Sequence, residues 1–244
     1  MTDILFTNAR LIDPSQNLDA SGQLTITDGV ISAVDAGQSH VKSAKTNKVI
    51  DCRGACIAPG LVDMRVQTAD PGSEHLEDLA TLLAAAAAGG ITSLGCLPNT
   101  QPVIDNAAMI DSLGLRASRV AGPRLHIYGA ATKGLAGTEM AELGLMAEAG
   151  AVAFTNGTAS ISDALVMRRL LAYANMLDKP VIQHCEDTSL AADGEMNESE
   201  TSTRLGLIGI PAIAETVIVE RDIQLMRLTG ARYHVAHLST RAGI

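Results

Sequence analysis

The chain has 244 residues, a net charge of -9 and no basic run, which argues against a nucleic-acid partner. Aromatic residues make up 2% and tryptophan is absent, so base-stacking platforms are missing and the core must be built from Ala, Leu, Ile, Val and Met. At 47% hydrophobic the chain can bury a sizeable core, but no apolar run reaches the ~18 residues of a bilayer span.

The opening "MTDILFTNARLIDPS" lacks a basic segment followed by an apolar one, so a secretory signal is not expected and a cytoplasmic location is. Residues 1–58 read as β. "ILFTNARLI" and "QLTITDGVISAVD" alternate apolar and polar residues, and Asp28-Gly29 splits the second stretch as a hairpin turn. "GQSHVKSAKTNK" reads as a loop, and "VIDCRGACIAPG" returns as strand and turn. The four cysteines, Cys52, Cys56, Cys96 and Cys185, lie in apolar, strand-like segments and are expected as buried free thiols. Cys52 and Cys56 have the spacing of a metal knuckle, but no second pair follows.

From Pro59 to the last residue the pattern changes. Short apolar strands ("GLVDM", "ITSLGCLP", "RLHIYGA", "AVAFT", "PVIQHC", "RYHVAHLS") alternate with helices expected near 74–88, 105–118, 138–149, 163–177 and 212–229. The last helix sets Ile213, Val217, Leu225 and Leu228 near one face, and "GEMNESETSTRLG" reads as a polar loop covering the barrel mouth. Apolar strands alternating with helices imply a parallel sheet covered by helices. No glycine-rich phosphate loop follows the first strand, so a (β/α)₈ TIM-type barrel is preferred to a doubly wound sheet. About six units are present where eight need ~250 residues, so the barrel is expected to be truncated, or its gap covered by a partner.

Chemistry in such a barrel sits at the C-terminal ends of the strands. The side chains there are Arg65 and Gln67, Asn99, Asn156, His184 with Glu186 and Asp187, and His234 with His237. His234 lies three residues before His237, so strand alternation puts it on the opposite side, as packing. Glu186 and Asp187 are expected to cap the following loop or pair with a cation, and His75 and His126 to lie at the surface.

"APGLVDM…DPG", "AAAAGGITSLGCLPNTQPVID", "VIQHCEDTSL", "MNESETSTRLGLIGIPAIAE" and "TGARYHVAHLST" together resemble dihydroorotase of the long bacterial type, within the amidohydrolase superfamily. The resemblance runs in order along essentially the whole chain. It implies a small β-sandwich beside the barrel, built partly from residues 1–58. It also implies zinc-dependent hydrolysis of dihydroorotate to carbamoyl aspartate in pyrimidine synthesis, where zinc lowers the pKa of bound water and polarises the amide carbonyl.

Carried over residue by residue, the resemblance gives a damaged metal site. The strand-one histidine pair aligns with Arg65 and Gln67. Arginine has no lone pair for a cation, and glutamine offers only a weak neutral oxygen. The bridging acid aligns with Asn156, and the arginine that holds the substrate carboxylate aligns with Ala69. His184 and His237 match the fifth- and sixth-strand metal ligands, and Asn99 matches a substrate-binding asparagine. The eighth-strand aspartate falls outside this sequence. Zinc is therefore expected to be weak or absent, and His184 and His237 can equally be hydrogen-bonded imidazoles of the barrel mouth. Asn99 can bind an anion or brace its turn. Arg65 is expected to replace the metal's charge and to pair with an acid, because a buried unpaired guanidinium is costly. The expected role is a noncatalytic partner of aspartate transcarbamoylase in an oligomer. The alternative is an active dihydroorotase, or a related cyclic-amide hydrolase, with a rebuilt site.

Overall fold

The computed structural model describes residues 3–37 and 48–244, so most of the loop expected between residues 37 and 48 lies outside the described residues. The chain divides into two compact units, Met1–Gly60 and Leu61–Ile244.

The first unit is one five-stranded sheet in the order β3-β2-β1-β4, with β5 also pairing β1. Its strands are β1 (Asp3–Asp13), β2 (Leu18–Thr27), β3 (Val30–Ala36), β4 (Lys48–Asp51) and β5 (Cys56–Ile57). The β2–β3 turn has Asp28 at φ 52° and Gly29 at φ 80°. Two consecutive left-handed residues match the right-handed twist of the flanking strands, which is why Asp-Gly sits there. Ala9, Leu11 and Leu24 form the buried side of this sheet, while Val30, Ile31, Val34 and Val49 stay exposed.

The second unit is a parallel sheet of six strands in the order β13-β10-β9-β8-β7-β6. Chain order and spatial order coincide: β6 (Leu61–Val66), α1 (Leu79–Ala88), β7 (Ile91–Cys96), α2 (Ala107–Ser118), β8 (Arg124–Ala130), α3 (Leu143–Glu148), β9 (Ala153–Thr155), α4 (Ala164–Met176), β10 (Val181–His184), α7 (Ile213–Thr229) and β13 (Tyr233–Ala236). Each strand lies beside its predecessor with an α-helix between, which is the arrangement of a (β/α) barrel; the step from β10 to β13 carries additional short elements before α7. Phe154, Met146, Leu143, Leu170, Leu171, Ile110 and Leu113 form the core between strands and helices. Helix α1 begins four or five residues later than the sequence pattern suggests, because Asp78 caps it by accepting from the Thr81 N–H (2.8 Å).

Two sequence expectations fail here. The stretch after β10 is not a plain loop. It holds α5 (Thr188–Ala191), β11 (Met196–Asn197), α6 (Glu200–Leu205) and β12 (Gly209–Ile210), with β11 pairing β12. Asp187 and Ser199 cap the two short helices, and Asn197 Nδ2 donates to the Ser239 carbonyl (3.1 Å). Short polar elements of this kind have too few apolar positions to show a period.

The face of α7 is also inverted. Ile213, Val217 and Leu228 are exposed, and only Leu225 of the expected row packs on the core. The buried face carries Ala214, Glu215, Thr216, Ile218, Val219 and Asp222. Two of these are acids, which a hydropathy reading assigns to solvent. They are buried because each is matched by donors. Arg221 Nε and the Tyr233 hydroxyl donate to Asp222 (2.8 and 2.7 Å), and Ser239 and Thr240 donate to Glu215.

All four cysteines are free. Cys96 and Cys185 are buried as expected, and burial pushes their thiols up to about 12 and about 11. Cys52 is only half-buried and Cys56 is exposed, because the short strands around them cover one side alone. No described helix is long and apolar enough to cross a membrane.

Candidate functional site at the strand ends

His184 is the last residue of β10, and His237 follows β13 directly. Parallel pairing places Ile182 beside His234 and His184 beside Ala236. His237 has φ 59°, in the left-handed region, which resets the strand alternation and swings its ring towards β10. The two Nδ1 atoms lie 3.0 Å apart. That is a hydrogen bond if one ring donates, and it is also close to the ~3.3 Å between two nitrogens that share a tetrahedral zinc at ~2.0–2.1 Å each. Burial, then the charge of Arg65 and the neighbouring His184 and His234, pull the His237 pKa below the usual histidine range. His184 Nε2 faces Glu186 Oε1 at 3.9 Å.

His234 is not packing on the far side. It lines the same open cavity as His237, about 390 Å³ in volume, together with Arg65, Met64, Tyr128 and Ile182. Alternation fails as a guide because the left-handed turn at His237 intervenes. His75 and His126 are exposed, as expected.

Arg65 lies near the end of β6 and is exposed, which corrects the expected buried ion pair. No carboxylate stands within 4.0 Å of its guanidinium among the described residues. Arg65→Met is thus expected to change stability by no more than about 0.5 kcal/mol, read from urea unfolding. A loss above about 2 kcal/mol would restore the paired picture.

Gln67 lies beyond the strand and lines a different cavity, of about 540 Å³, with Ala69 and Asn99. Asn99 packs against Gly157, whose φ is 66°. A Cβ there would sit 1.8 Å from Asn99 Oδ1, so only glycine fits. Asn99 Oδ1 is buried without a partner, so its oxygen braces nothing.

Asn156 is 1% exposed. Its amide oxygen accepts from the Thr132 N–H (3.1 Å), and its nitrogen donates to Thr132 Oγ1 (2.8 Å) and the Leu135 carbonyl (3.3 Å). Asp163 caps α4, and Asp187 caps α5.

Among the described residues, the donors do not by themselves make up a catalytic zinc site. Such a site takes three protein ligands and a water. Two imidazoles converge here, but no group of three or more His, Cys, Asp or Glu side chains able to hold a metal occurs among the described residues.

A sequence profile of the family described as Dihydro-orotase-like matches residues 54–243. The chain belongs to the dihydroorotase-like family. It is similar to dihydroorotase of Solibacter usitatus, at 45% identity over 99% of this chain and 55% of that protein. It is likewise similar to dihydroorotase of Syntrophotalea carbinolica, at 43% identity over 99% and 56%. The chain thus spans little more than half the length of the curated relatives it matches. In fold it is similar to L-hydantoinase (dihydropyrimidinase) from Arthrobacter aurescens, with a TM-score of 0.78 and 21% identity over 100% of this chain and 54% of that one. Dihydropyrimidinase from Brevibacillus agri NCHU1002 gives a TM-score of 0.71 at 18% identity, over 99% and 53%. Within the family frame, the sequence signals that do reach the site are the "HCED" block, which ends β10, and the "HVAHL" block, which ends β13.

Proposed function

We propose that this chain is a dihydroorotase-family protein of pyrimidine biosynthesis that has lost zinc-dependent hydrolysis and acts as a noncatalytic partner of aspartate transcarbamoylase. The observation that carries the reading is the unpaired Arg65 guanidinium beside the histidine pair, at the position where the family resemblance expects an imidazole. A permanent positive charge there repels a dication, and arginine offers it no electron pair. Asn156 supports the same reading, because its amide is wholly engaged with Thr132 and Leu135 and bridges nothing.

One observation favours a second reading. The 3.0 Å approach of His184 and His237 leaves two nitrogens poised for one metal. In that case the chain is a dihydroorotase or related cyclic-amide hydrolase with a reduced metal site, acting on dihydroorotate or forming it from carbamoyl aspartate.

The two readings part in one experiment. The purified chain is analysed for metal and assayed for dihydroorotate hydrolysis with and without added zinc, and its complex with aspartate transcarbamoylase is sought by co-purification. The expected result is zinc well below one ion per chain, no turnover, and a stable complex. Stoichiometric zinc with turnover would establish the second reading instead.

A further inference from the structure

Between β10 and α7 lies a stretch that neither reading of the site uses. Residues 193–210 hold β11, α6 and β12, and their hydrogen bonds close on themselves. The Glu195 N–H donates to the Ile208 carbonyl (3.0 Å), the Glu198 N–H donates to the Ile210 carbonyl (2.8 Å), and β11 pairs β12. The two ends of the stretch are drawn together, because the Asp187 N–H donates to the Ala214 carbonyl (2.7 Å) in the first turn of α7. Little apolar burial holds it down. Leu205, Leu207 and Ile208 are exposed, and none of its side chains belongs to a buried apolar cluster among the described residues. Beyond the adjoining Ala191, its hydrogen bonds to other described residues run through one pair: Asn197 Nδ2 donates to the Ser239 carbonyl (3.1 Å), and Ser239 Oγ lies 3.4 Å from Asn197 Oδ1. At its entry Ala192 sits at φ 39° and ψ -123°, a backbone that any side chain strains.

Ser239 is shared. It lies two residues beyond His237, and Glu215 grips it from α7 through its N–H (2.7 Å) and hydroxyl (3.0 Å). The hydroxyl has one proton to give, and the carboxylate is the nearer, charged acceptor, so the amide donation from Asn197 is the firm half of the outer contact. Neutral exposed bonds yield before charge-assisted ones. The stretch therefore parts from the turn before the turn parts from α7.

We propose that residues 193–210 are a hinged strap, latched by Asn197 onto Ser239 and bending at Ala192, and that its opening bares the rim that carries His237. A segment with joined ends, internal pairing and few buried apolar contacts opens as one unit. The strain at Ala192 belongs to the closed position, so hinge and latch act in opposite directions. Neither reading of the metal site bears on this device.

Native-state hydrogen exchange on the full chain, read by mass spectrometry, tests the latch. In Asn197→Ala the amides of residues 195–210 should exchange about tenfold faster, the effect of losing one or two neutral hydrogen bonds. The Ser239 and Thr240 amides, which Glu215 holds, should keep their rates, and the melting temperature should not move. Trypsin should cut after Arg204, inside the strap, faster by a similar factor. His237 should react faster with diethyl pyrocarbonate, with the exposed His75 as internal standard. Ala192→Gly relieves the hinge and should slow the same strap amides. Unchanged strap exchange in Asn197→Ala would overturn the latch. Ser239 and Thr240 amides accelerating together with the strap would mean that the turn itself yields, and would overturn it as well. Faster strap exchange in Ala192→Gly would overturn the hinge, and an unchanged His237 rate in Asn197→Ala would overturn the strap's role as a cover.

Discussion

Asp222→Ala is expected to destabilise the protein by about 3 kcal/mol, because it removes the only carboxylate partner that the part-buried Arg221 has among the described residues and the acceptor of the Tyr233 hydroxyl. Asp222 is 0% exposed and sits where three elements meet. Arg221 donates to it from the same helix and also ties α7 to the α4 entry through the Ile161 and Ser162 carbonyls (2.8 and 2.6 Å). Tyr233 donates from β13 (2.7 Å), and its hydroxyl lies 3.2 Å from Sγ of Cys185, the residue after β10. Burial pushes the Tyr233 hydroxyl pKa far up, so Tyr233 remains a donor at any working pH. Removing the carboxylate therefore strips partners from Arg221 and Tyr233 together. The melting temperature should fall by roughly 6–12 °C. In the same assay Leu228→Ala, on the exposed face of α7, should move stability by no more than about 0.5 kcal/mol. If the two variants exchanged these outcomes, the helix would bury the face that its apolar residues mark, and the polar network would be a surface ornament.

Glu215→Ala is expected to cost about 3 kcal/mol and to loosen the turn that carries His237. Glu215 Oε2 accepts from the Ser239 N–H (2.7 Å) and hydroxyl (3.0 Å), and Oε1 accepts from the Thr240 N–H (3.1 Å) and hydroxyl (2.6 Å). Four donors on one buried carboxylate make each bond charge-assisted, worth roughly 1.5–3 kcal/mol before the cost of burying the charge is offset. Burial alone would raise the Glu215 pKa, but the Thr240 and Ser239 donors outweigh it and hold the group below its ordinary 4.5. The sign follows from linkage. A depressed folded-state pKa gives stability that is complete above the unfolded value and is lost as pH falls through the folded one. Wild type should therefore lose stability on acidification below about pH 4.5, and Glu215→Gln should flatten that part of the curve. An equally steep acid limb in Glu215→Gln would place the titrating group elsewhere.

Both predictions concern α7, where the sequence misleads. Ile213, Val217, Leu225 and Leu228 do recur at helical spacing, and the helix forms within a residue of its expected ends. Periodicity registers hydropathy alone, so it cannot see that Asp222 will meet Tyr233 and Arg221, or that Glu215 will meet Ser239 and Thr240. These pairings cross from 11 to 25 residues in the chain, apart from the adjacent Arg221.

The site divides in the same way. The residue types at the strand ends were legible in the sequence, because a parallel α/β arrangement leaves its functional side chains at the carboxyl ends of strands. Their grouping was not. Arg65 and Gln67 look like a pair two residues apart, yet they line different cavities, because Arg65 belongs to β6 and Gln67 comes after it. Asn156 looks like a lost ligand and is instead a buried brace for the segment after β8.

The sequence by itself determined the order of the six parallel strands and the main helices between them, and the Asp28-Gly29 hairpin, because period, caps and turn chemistry act over a few neighbouring residues. Only the tertiary structure decided that His234, His237 and Arg65 line one cavity, that Arg65 has no carboxylate partner among the described residues, and that α7 buries its acids. Those outcomes depend on one left-handed residue at His237, and on donors brought to the acids of α7 chiefly from other parts of the chain, and neither leaves a local pattern.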